Sequence, residues 1–121
     1  MEKDNLIQKK SFDFALSVIG LYKILLKSNE WVISKQLLRS ATSIGANVEE
    51  AIAGQSRKDF IHKMSIASKE ARETRYWLKL LNESKLVEVD CGPFLLEIDQ
   101  IISILIKIVK TSNEKIVNDR L

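Results

Sequence analysis

Arg57, Lys58, His62, Lys69, Arg72, Tyr76 and Lys79 are residues whose types and spacing fit one chemistry, the neutralising of a polyanion. Cations at helical spacing stand on one outer face, where each offsets a phosphate without reading a base. His62 and Tyr76 interleave with them and add rings on which bases stack. The surrounding stretch 56–82 carries seven Lys or Arg against three Asp or Glu, a surplus larger than the net +3 of all 121 residues. Positive charge is therefore concentrated on one segment. The competing reading is a solvated face whose cations are met by acids on neighbouring elements. A sequence pI near 9.0 permits a nucleic-acid partner, RNA or DNA, without requiring one.

A second polar set lies earlier in the chain. Gln36, Ser40, Ser43, Asn47, Glu50 and Gly54 recur at 4-3-4-3-4 spacing, one stripe of a helix, with Arg39 and Glu49 beside it. Gly45 in the same run costs about 1 kcal/mol of helix propensity relative to Ala. Small residues let a second helix approach closely, and serine hydroxyls bond back to a carbonyl one turn earlier. Arg39, Ser43, Asn47, Glu50 and Glu73 then form a structural polar network. Within it Asn47 and Glu50 need donors, which Arg72 or Arg75 can supply. The functional alternative for this stripe is a polar groove for a ligand.

Catalytic chemistry finds little support. Its best constellation is Glu50, Glu73 and His62, yet His62 belongs to the outer face, away from both carboxylates. There is no glycine-rich phosphate loop and no Glu-x-x-His pair of the kind that holds two irons in a helical bundle. One cysteine, Cys91, and one histidine cannot build a zinc site or an intramolecular disulfide. No enzyme, metal, cofactor or small-molecule substrate is expected.

These side chains need elements to position them. Four glycines and one proline leave little room for the turns of a β fold, so long helices are the economical reading. Breaks at 27–31, 53–59 and 83–93 divide the chain into helices over about 6–28, 31–53, 57–83 and 93–113. Short connections make sequential helices antiparallel, which predicts an all-α, up-down-up-down antiparallel four-helix bundle as one domain over 1–121. Ser56 with Asp59 three residues on resembles a capping box, Gly54 suits the end of the second helix, and Pro93 suits a first helical position. Phe60, Met64, Ala67, Ala71, Leu78 and Leu81 form one core-facing stripe; Leu37, Ala41, Ile44, Val48 and Ile52 form another. Helices 1 and 4 carry apolar residues well beyond one face. That surplus predicts self-association, the alternative being that both are buried on two sides within one subunit. The most apolar run, 94–109, contains Glu97, Asp99 and Lys107 and is too short to span a bilayer. Without a signal-like apolar region near the start, the expected location is the cytoplasm, with no membrane partner.

The stretches "QLLRSATSIGANVEEA" and "SRKDFIHKMSIASKEARETRYWLKLL" resemble the four-helix-bundle family named after 23S rRNA intervening-sequence proteins, also called S23 ribosomal proteins. Gln36, Leu37, Arg39, Ser43, Ile44, Asn47 and Glu50 match its second-helix pattern. Phe60, Ile61, Ser65, Ile66, Ala67, Glu73 and Leu78 match its third, and "KSFDFALSVIGLYKIL" fits its first. The chain departs from the pattern at Gly45, where many members have Pro, and at Ala51, where many have Gly. The resemblance implies a left-handed up-down bundle that assembles into homopentameric rings. It also implies kinship with accessory proteins of diversity-generating retroelements, which associate with nucleic acid through a basic surface. It carries no catalytic residue. Two functions compete: a homo-oligomer, pentameric by preference, that associates with RNA or DNA, and a protein-interaction scaffold that does not.

Overall fold

Helices cover nearly the whole chain. A computed structural model describes residues 2–120, which fold as α1 (Glu2–Lys27), α2 (Ile33–Ala53), α3 (Arg57–Ser84) and α4 (Gly92–Arg120), with no strand among the described residues. Each helix packs on its sequence neighbours and α1 packs on α4, closing a ring; among the described residues the backbones of the diagonal pairs α1–α3 and α2–α4 make no close approach. This is the up-down-up-down bundle expected from the short connections. The largest departure from expectation is α4, which continues to Arg120 rather than ending near 113. No Gly or Pro interrupts 113–120, and Ile116 and Val117 keep apolar residues in the last turns.

The α1–α2 joint is built from two interlocked caps. Glu30 N–H donates to the Leu25 carbonyl (2.9 Å) and Asn29 N–H to that of Leu26 (3.0 Å), while Asn29 takes a left-handed φ of 62°. That is the double hydrogen bond of a Schellman ending, with Asn in the place Gly usually takes. The Glu30 carboxylate then accepts from the N–H groups of Val32, Ile33 and Ser34 at 3.2, 2.9 and 2.6 Å, satisfying donors that α2 leaves without helical partners. Glu30 is only 6% exposed. Burial pushes its pKa up, but the bonds from Ile33, Ser34 and Val32, with that of the Ser34 side chain, prevail and hold it below the ordinary value.

At the start of α3, Ser56 Oγ accepts from Asp59 N–H at 3.1 Å, as the capping pattern predicts. Gly54 ends α2 in extended backbone (φ −64°, ψ 150°), so the left-handed freedom of glycine is not used there. The α3–α4 joint turns through Lys85 at φ 54° and is tied by Asn82 Oδ1, which accepts from Cys91 N–H at 3.0 Å. Burial, with Asp90 beside it, raises the Cys91 pKa.

The core is a layer of fully buried side chains from all four helices: Val18, Leu21 and Leu25 of α1, Leu37, Ala41, Ile44 and Val48 of α2, Met64, Ala67, Ala71, Leu78 and Leu81 of α3, and Ile98, Ile101 and Leu105 of α4. Phe60 is half-buried against them. Ile52, expected in the α2 stripe, is 39% exposed; Ala51 takes the core position in that last turn, where the stripe has drifted round the helix. Opposite the core row of α1, Phe12, Leu16 and Ile19 form an outward row, 61, 54 and 37% exposed.

Candidate functional site

The small polar stripe of α2 faces α3 and is stitched to it. Deep in the seam, the Thr74 hydroxyl donates to the Glu70 carbonyl (2.8 Å) and makes a 2.9 Å hydroxyl–hydroxyl contact with Ser40; both side chains are fully buried. Nearer the surface, the Arg39 guanidinium bridges two α3 carboxylates, that of Glu70 at 3.2 Å and that of Glu73, and Glu73 also accepts from Trp77 Nε1 at 3.0 Å. Ser43 donates to the Arg39 carbonyl (2.7 Å), and Asn47 Nδ2 to the Ser43 carbonyl (2.8 Å). Glu50 pairs with Lys63 Nζ at 3.2 Å.

Arg72 and Arg75 are not the donors for Asn47 and Glu50. Asn47 instead donates to the Ser43 carbonyl of its own helix and Glu50 pairs with Lys63, while Arg75 Nε reaches across to Asp99 of α4 at 2.8 Å. Those arginines lie on the α4 side of α3, out of reach of the α2 seam. Thr74, Glu70 and Trp77 complete the network and escaped the sequence reading. The signal for Thr74 was present: between Ala71 and Leu78 the core stripe takes a seven-residue step, and position 74 divides it at 3 + 4 spacing. Glu73 and Glu50 are each engaged by a cation, and among the described residues no hydrogen bond or ion pair joins His62 to either. No cluster of three metal-ligating side chains exists among the described residues.

On the outside of α3, Arg57, Lys58, His62, Lys69, Arg72, Tyr76 and Lys79 are all exposed. At 100° per residue, Lys58, His62, Lys69, Arg72, Tyr76 and Lys79 share one face about 100° wide and about 32 Å long, whereas Arg57 turns towards α4. Lys79 lies 4.0 Å from Glu83; Lys58, Lys69 and Arg72 have no ion-pair partner among the described residues. The Tyr76 ring is 58% exposed and meets Trp77 edge-on at 5.1 Å.

Lys69 and Arg72 also form one wall of a groove of about 890 Å³ between α3 and the C-terminal half of α4. Ser65 and Ser68 continue that wall, Lys110 stands on the α4 side, and Ile106, Val109 and Val117 make an aliphatic floor. Its far end was invisible in the sequence because α4 was expected to stop before Val117.

A ring of four antiparallel helices, sealed by a buried seam and bearing cations and apolar residues on its outside, defines a small helical-bundle protein. Residues 3–107 match the model of the 23S rRNA-intervening sequence protein family, and the chain belongs to that family. It is also similar to a protein of unknown function from the S23 ribosomal protein family of Bacteroides thetaiotaomicron, known from a 1.70 Å crystal structure. The two are 46% identical with a TM-score of 0.85, over 89% of this chain and 98% of the other. No curated protein matches. Neither description names a reaction. No helix among the described residues is long and apolar enough to cross a membrane.

Proposed function

We propose that the chain is a non-enzymatic homo-oligomer that associates with RNA through the outer face of α3. The observation that carries this reading is the trio Lys58, Lys69 and Arg72, which project from one helix face without acidic partners among the described residues. Cations already paired inside a protein have little left for phosphates; unpaired ones release counterions when a phosphate takes their place. Tyr76, Lys79 and His62 extend the same face, with Arg57 at its end. The family's own description, an rRNA intervening sequence, favours RNA over DNA as the polyanion.

Self-association rests on the outward row Phe12, Leu16 and Ile19. Beside it, Gly20 interrupts α1 with no heavy atom within 4 Å of where its Cβ would stand, so nothing within the subunit requires a glycine there. A closely packed helix of a second subunit would give it a use. The resemblance that implies homopentamers makes a pentamer the preferred assembly, and a ring would multiply a modest charge per subunit. The single Cys91, buried and free, suits the reducing cytoplasm.

The experiment is an RNA mobility-shift titration over salt. Affinity for unrelated single strands should fall with a log–log slope of about −0.7 per phosphate contact. Lys58→Gln, Lys69→Gln and Arg72→Gln together should flatten that slope by about two contacts or more per subunit while leaving the helical spectrum intact. An unchanged slope in the folded triple variant assigns the face to solvent and leaves the scaffold reading in its place.

A further inference from the structure

We infer that the groove between α3 and the C-terminal half of α4 is a docking site for an acidic amphipathic helix of another protein. Ile106, Val109 and Val117 lie on one row of α4, with Asn113 between the two valines, and Ile106 and Val117 are 43 and 56% exposed. From Ile106 to Val117 the floor runs about 17 Å, three helical turns. The facing wall of α3 is narrow at Ser65 and Ser68, which leaves room for a third helix to settle between the two as a ridge enters a groove. Lys69 and Arg72 stand on one rim and Lys110 on the other; none has an ion-pair partner among the described residues, and Glu114 is the one anion in the lining.

Charge and polarity together select the occupant. An aliphatic floor between cationic rims fits a helix with apolar anchors at i, i+3 and i+7 flanked by Glu or Asp. A nucleic acid strand would use the rims but not the floor, because bases stack on aromatic or guanidinium planes and the floor has no ring. A second copy of this chain fits worse. Its outward row on α1 is bordered by Lys23 and by Lys9, already paired with Asp13 at 2.8 Å, so it offers no net negative flank to Lys69, Arg72 and Lys110. The inference goes beyond RNA association and does not depend on it. The two ligands share Lys69 and Arg72, so on one subunit they exclude each other.

The probe is a synthetic peptide of about 15 residues with leucines at i, i+3 and i+7 and glutamates on its flanks, long enough for three helical turns. It is measured by fluorescence anisotropy beside a scrambled peptide of equal composition. The ordered peptide should bind at least tenfold more tightly than the scrambled one. Ile106→Gln with Val117→Gln should cost it tenfold or more and leave RNA affinity unchanged. Ser65→Trp, which fills the groove from the α3 side, should block the peptide without touching α4. Equal binding of the two peptides, or full affinity in either variant with helicity intact, would overturn the proposal. So would RNA affinity that falls with the aliphatic pair, since the floor would then belong to the RNA site.

Discussion

Glu30 shows how one side chain sets a boundary that hydrophobic periodicity cannot. Its carboxylate holds three N–H groups of the first turn of α2, and its own N–H closes α1. Because these bonds favour the ionised form, the folded pKa lies below the ordinary 4.5. The sign follows: the stabilisation is fully present above the unfolded-state value and drains away as pH falls through it towards the folded one. Glu30→Gln should therefore be less stable than the parent by about 1–2 kcal/mol at neutral pH. In urea melts run from pH 7 down to 3, the gap should narrow steadily below about pH 4.5; a gap independent of pH would deny the carboxylate this role. The motif was partly legible, since "KSNEW" marked a break, but an acid three residues outside a helix gives no periodic signal.

At the scale of elements, Gly45 is the residue of α2 whose presence most needs a reason. Its position meets α1 at Ser11, and a Cβ built there would stand 3.5 Å from Ser11 Oγ and 3.6 Å from the Ser11 carbonyl oxygen, ordinary contact distances. A methyl group therefore fits, and the helix gains propensity. Gly45→Ala should raise stability by about 0.5–1 kcal/mol in thermal melts, whereas a lower Tm would mean that α1 and α2 need the glycine to reach their spacing. The stripes of α2 and α3 were readable because burial on one side of a helix writes a 3–4 residue period. The partners of Arg39 and Arg75 were not. A cation's partner depends on which helix its face meets and at what height, and Asp99 lies 24 residues from Arg75 in sequence. The groove was illegible for a related reason: its far end rests on turns of α4 that follow a polar segment, where no apolar stripe announces that a helix continues.

For the whole molecule, the decisive quantity is the number of subunits. Phe12→Glu with Leu16→Glu alters only residues 61 and 54% exposed, so the subunit should keep its helicity. If α1 mediates assembly, static light scattering at micromolar concentration should drop from a multiple of 13.8 kDa to that single mass, because buried like charges at an interface cost several kcal/mol. A parent protein already at the single mass would remove self-association altogether. The ring also has a weakest side. α2 and α3 share the broadest contact and the buried Ser40–Thr74 pair, whereas α1 and α4 touch least and have no loop between them. The bundle is hinged like a book, with α2–α3 as its spine and α1–α4 as its open edge. Parting that edge breaks no chain connection, so it is the route by which water first reaches the core, and any partner that bridges α1 and α4 would act as a clasp on the closed volume.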